Sequence, residues 1–118
     1  MEATNLTLSY LAAPYSHPDK SVVEKRMETL CKVDALLMQR GIYTVSPLLK
    51  HFIVHYTDLP TDWNYWKGYS DTVMCAVDRV IIVMMDGWEE SVGVQAEIKM
   101  ANHLGIKVEY VNENGGIS

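Results

Sequence analysis

Asp78-Arg79-Val80-Ile81-Ile82-Val83-Met84-Met85 is a nearly unbroken apolar run, closed by Asp86-Gly87. A strand with no polar face must be covered on both sides, the condition of a middle strand in a helix-covered parallel sheet. Downstream, Ser91 to Leu104 has helical spacing, with Val94, Ile98 and Ala101 inward and Gly105 as its stop, and Lys107 to Val111 reads as a half-polar strand. Upstream, Leu6 to Ala12 suits a first strand, bounded by Asn5 and by the breakers of Pro14-Tyr15-Ser16-His17-Pro18. From Asp19 the period changes: Val23, Met27, Leu30, Val33 and Leu37 mark one face of a helix, Asp19 can cap it, and Gly41 can end it. Ile42 to Ser46 is a short β-branched strand stopped by Pro47. Strand, long helix and strand in this order make a βαβ unit, whose strands run parallel. Pro47 to Leu59 is least legible, with a short helix around Leu49 to Tyr56. Pro60-Thr61-Asp62 announces a helix from Trp63 to about Ala76, with Thr61 or Asp62 as cap. The order predicts one three-layer α/β domain over 1–118, Rossmann- or flavodoxin-like. Its parallel sheet has four or five strands with the 78–85 strand at the centre, and 112–118 is a loose tail.

Composition agrees with a single core. The chain has 118 residues, 48% hydrophobic and 21% charged, so neither disorder nor a low-complexity fibre is expected. The net charge of −5 provides no basic field for a nucleic-acid polymer or an anionic membrane. A small anion held by backbone amides stays open. Cys31 and Cys75 show no CxxC spacing and read as reduced thiols. Met1 to Thr7 lacks a positive n-region, and no apolar run approaches the roughly 18 residues of a membrane span. A soluble, cytoplasmic protein is expected.

Ligands of open parallel sheets bind beyond the carboxyl ends of the strands. That points to residues 12–17, 46–51, 86–93 and 112 onward. The third segment, Gly87-Trp88-Glu89-Glu90-Ser91-Val92-Gly93, is the most distinctive, joining a buried strand to a helix. Ser91 and Gly93 have two readings there: a helix cap with a packing glycine, or a hydroxyl and open amides for a ligand. Glu97 follows Gly93 by one turn and borders the apolar seam. It reads either as a solvated helix glutamate or as an oxygen nucleophile for a covalent glycosidic mechanism, which wants a second carboxyl group nearby. Asp71 is the candidate for that group, against the reading of a surface aspartate. Tyr10, ending the first strand, is either a packing residue with a wet tip or a hydroxyl for the carboxylate edge. His51 and His55 share a helix face but lack a catalytic Glu between them, so no metal site is assigned. Trp63, Tyr65, Trp66 and Tyr69 suit a base-stacking surface, a helix packing face or a subunit contact. With neither a Walker loop nor GxGxxG, no NTPase or dinucleotide dehydrogenase is indicated.

Three stretches carry a family likeness: Tyr10-Leu11-Ala12-Ala13-Pro14-Tyr15-Ser16, Val45-Ser46-Pro47, and Gly87 through Glu97. On these residues the chain resembles the nucleoside 2-deoxyribosyltransferase-like superfamily, particularly a small bacterial and phage branch carried as a domain of unknown function. The resemblance implies Glu97 as the nucleophile at C1′ of a 2′-deoxyribose, Tyr10 as its orienting hydroxyl, and Asp71 at the sugar and leaving base. It implies substrate contacts from Ala13, Ser16, Gly87, Trp88, Ser91 and Gly93, no metal or other cofactor, and a homodimer or larger assembly. Ser91 stands where the transferases have aspartate. The superfamily's deoxynucleoside 5′-monophosphate glycosidases have serine there and use it toward the phosphate. In the first loop, Pro14 removes an amide donor that those glycosidases keep. The expected activity is cleavage or transfer at the N-glycosidic bond of a 2′-deoxynucleoside or its 5′-monophosphate. The alternatives are a non-catalytic nucleotide-binding or sensing module, and a glycohydrolase of NAD-type ribonucleotides.

Overall fold

A computed structural model describes residues 7–116, apart from the side chains of His51 and Phe52. Its elements are β1 (Leu8–Ala12), α1 (Lys20–Gln39), β2 (Tyr43–Val45), a 3-10 turn (Pro47–Lys50) running into α2 (His51–Tyr56), α3 (Trp63–Met74), β3 (Arg79–Val83), α4 (Val92–Leu104) and β4 (Lys107–Val111). The four strands form one parallel sheet in the order β2-β1-β3-β4. The expected three-layer α/β architecture is present, with four strands and with β1 and β3 both interior. Among the described residues no helix is long and apolar enough to cross a membrane.

Strand parity sorts the core into two layers. Tyr10 pairs with Val80, Leu11 with Ile81 and Ala12 with Ile82. Successive side chains alternate between faces, so Leu11, Ile81 and Val83 meet Met27, Leu30, Val33 and Leu37 of α1. Tyr10, Ala12, Val80 and Ile82 meet Met74 of α3 and Val94 and Ala101 of α4. The apolar run of β3 thus serves both faces, as its lack of a polar side requires.

The helix boundaries follow the expected chemistry. Asp19 caps α1 by accepting from the Ser21 N–H at 2.9 Å, and Gly41 follows at φ +78°. Asp62 occupies the cap position of α3, although its side chain makes no capping bond. The segment expected as a loose tail is a closed turn as far as Gly116. There the Asn112 side-chain oxygen accepts from the Asn114 and Gly116 N–H groups, and Arg40 donates to the Gly115 carbonyl. Leu6, assigned from sequence to the first strand, and the end of the tail lie outside the described residues.

Ile82 is fully buried at the centre of the sheet. Ile82→Ala should cost about 3 kcal/mol, lost apolar transfer plus a cavity the two layers cannot close. Urea unfolding should show this as a lower midpoint with an unchanged slope.

Candidate functional site

Topology places the site before any side chain does. From β1 the chain moves to β2 on one side, and from β3 to β4 on the other, so β1 and β3 flank the switch point. Beyond their carboxyl ends lies a cavity of about 640 Å³, within the usual range for small-molecule sites. Its walls come from the loop after β1, Arg26 of α1, the turn after β2 with Val54 of α2, the first two turns of α3 and the segment from Gly87 to Glu97.

Glu97 is positioned by the start of α4. Ser91 is the N-cap, its hydroxyl accepting from the Val94 N–H at 3.2 Å. Glu97 then falls on the inward face, in line with Val94 and Ala101, and is buried although it lines the cavity. Between the sequence's two readings of Glu97, the structure rejects the solvated one. The carboxylate accepts a hydrogen bond from the Tyr10 hydroxyl, which parity turns toward α3 and α4. Ser70, buried on α3, interacts with the same hydroxyl and also lines the cavity.

The electrostatics of this trio are dominated by dehydration. Burial raises the Glu97 carboxyl from an ordinary 4.5 to about 7, the Tyr10 hydrogen bond opposing the rise and the Asp71 charge adding to it. A fully ionised nucleophile at neutral pH, as the free carboxyl value suggests, is therefore not the resting condition. Burial, then the Glu97 charge, hold the Tyr10 hydroxyl protonated well beyond the ordinary phenol range. Tyr10 is thus a permanent donor to the carboxylate.

The remaining expected residues divide. Ala13, Ser16, Gly87, Ser91 and Gly93 line the cavity with Glu97. Gly93 is not a packing necessity, because a Cβ there would meet the Trp63 ring at an ordinary 3.6 Å. Asp71 is near enough to act on Glu97 and Tyr10 through its charge, but it is not among the cavity-lining residues. Its carboxylate pairs with Lys67 at 2.6 Å. Trp88 is not a lining residue either: it packs on Tyr110, ring centres 5.7 Å apart, beside the α3–α4 core. Among the described residues no cluster of three or more His, Cys, Asp or Glu is arranged to hold a metal. The His51 side chain, which with His55 is not assigned as a metal site, lies outside the described residues.

Sequence reasoning missed Arg26, Lys50 and Ser70 and did not separate Trp63 and Trp66, which line the cavity, from Tyr65 and Tyr69. Arg26 and Lys50 are the lining cations. The Arg26 Nη1 donates to the carbonyls of Ser16 at 2.9 Å and Tyr15 at 3.4 Å. One signal was available. A helix that follows a parallel strand starts at the carboxyl edge, so a cation in its early turns stands near the ligand end.

A buried, tyrosine-held carboxylate thus lines a cavity at the switch point of an α/β domain. Residues 7–113 match the model of a protein family described as a domain of unknown function, DUF1937, and the chain belongs to that family. No curated protein matches it.

The raised Glu97 carboxyl has a thermodynamic signature. Between pH 4.5 and about 7 the folded chain keeps a proton that the unfolded chain releases, so stability falls as pH rises through this window. The loss is complete above it, on the order of 3 kcal/mol. Glu97→Gln removes the ionisation, so its melting temperature should exceed the wild-type value at pH 8 and approach it at pH 5. A difference independent of pH would show that Glu97 is not buried as an acid.

Proposed function

We propose that the chain cleaves, or exchanges, the N-glycosidic bond of a 2′-deoxynucleoside 5′-monophosphate through a covalent ester on Glu97. The observation that carries this reading is the Glu97 carboxylate, buried at the cavity wall and held by Tyr10. The family likeness of Gly87 to Glu97 to the deoxyribosyltransferase-like superfamily supplies the substrate class. One carboxylate oxygen stays on Tyr10 while the other attacks C1′. The C1′–N bond breaks, its electron pair leaves on the base nitrogen, and the base takes a proton from solvent water. Water or a second base then attacks C1′ and releases Glu97, with net retention. Trp63 offers a ring to the base. The Asp71 charge acts at a distance, since its carboxylate is committed to Lys67. Ser91, with the first amides of α4, faces the phosphate and also caps its helix.

Tyr65 and Tyr69 are 48% and 39% exposed, and Leu49 and Ile53 are each 40% exposed. These residues favour a homodimer or larger assembly as part of the same proposal. Light scattering should give at least twice the 13.4 kDa of the chain; a monomer at high concentration overturns this part.

The direct test incubates the common nucleosides and their 5′-monophosphates with the protein and follows free base by mass spectrometry. Wild type should release base from deoxynucleotides, and Glu97→Gln should release none while remaining folded. Release by the variant at the wild-type rate contradicts the nucleophile. Absence of release from every substrate contradicts the activity and leaves a binding module. Since only ionised Glu97 attacks, kcat/KM should rise with pH to a plateau above about 7. At pH 5 it should be roughly a hundredfold lower.

A further inference from the structure

We propose that Arg26, seated against Gly87, is the charged receptor for the phosphate of the substrate. This inference rests on the nucleotide reading above and adds to it a residue outside all three motifs.

Arg26 is a half-buried cation in the wall of the cavity, and among the described residues it pairs with no carboxylate. Its fixed partners are the carbonyls of Tyr15 and Ser16, both taken by Nη1. Neutral carbonyls orient a guanidinium without cancelling its charge, so Nε and Nη2 remain as donors. A half-buried guanidinium held only by neutral carbonyls keeps its full charge for a ligand anion, which its remaining donors can meet.

Gly87 makes the seat. Its φ is +90°, and the Arg26 Nη2 lies 2.5 Å from the position a Cβ would occupy. Any side chain there strains the turn and displaces the guanidinium, so this glycine satisfies two demands at once. Its contribution to ligand binding is the space it leaves for Arg26. The arrangement also accounts for Pro14. The first loop gives up an amide donor at the proline, and a cation from the helix behind it, tied to the carbonyls of the next two residues, takes its place. A planar guanidinium presents paired donors to two phosphate oxygens, which a single amide does not.

The experiment compares wild type with Arg26→Gln, Arg26→Lys and Gly87→Ala. It measures calorimetric binding of inorganic phosphate and the ratio of kcat/KM for a deoxynucleoside 5′-monophosphate to that for the same deoxynucleoside. Arg26→Gln and Gly87→Ala should each lower the ratio and the phosphate affinity by roughly tenfold or more. Arg26→Lys, which keeps the charge but loses the fork, should recover part of both. A folded Arg26→Gln with an unchanged ratio overturns the receptor and leaves the glycosidic reading intact, as does a variant that loses both substrates equally. Wild type that binds no phosphate also overturns it. Phosphate binding that depends on Arg26, in a protein that cleaves no glycosidic bond, supports the receptor and overturns the reading on which it was built.

Discussion

The hydrogen bond from Tyr10 to Glu97 joins the first strand to the last helix, and the site is organised around it. A carboxylate taken from water loses its hydration and needs donors in exchange. Tyr10 is such a donor because strand parity turns it toward α3 and α4, with Leu11 turned toward α1. A slip of one residue in β1 would exchange the two and leave Glu97 buried without a partner. Register in the sheet and ionisation in the site are therefore one constraint.

That constraint has a cost in stability. The protein keeps an acid that titrates near neutrality where an apolar residue would pack at less cost. The surrounding design accepts this locally. Ser91 fixes the start of α4, Ser70 braces the phenol, and the core layer of Val80, Ile82, Val94 and Ala101 packs around them. The cavity needs no extra element, because opposite chain directions from β1 and β3 open it at the switch point.

Much of this was legible in the sequence. The run from Val80 to Val83 has no polar face, so a middle strand was its natural reading, and Asp19, Ser91, Gly41 and Gly105 are strong boundary signals. Glu97 and Tyr10 were legible as candidates only, since helical spacing places a residue beside a seam without saying what covers it. Asp71 and Trp88 show the limit. Neighbouring Lys67 takes up the carboxylate, and Tyr110, distant in sequence, takes the indole. Arg26 was hidden for the opposite reason: it lies in no motif, and its place follows from the helix start and the missing Cβ of Gly87. Residues 112–118 read as a loose tail, but as far as Gly116 Asn112 closes a turn on its own backbone and Arg40 ties it to the end of α1.

The central claim is that Glu97 is a nucleophile and not merely a buried acid. Intact-mass measurement of protein quenched in acid during turnover of a deoxynucleoside 5′-monophosphate tests it most directly. The account predicts a single added deoxyribose phosphate, lost on further incubation and mapped by peptide sequencing to Glu97. Turnover with no adduct under rapid quenching, or an adduct on any other side chain, would contradict it.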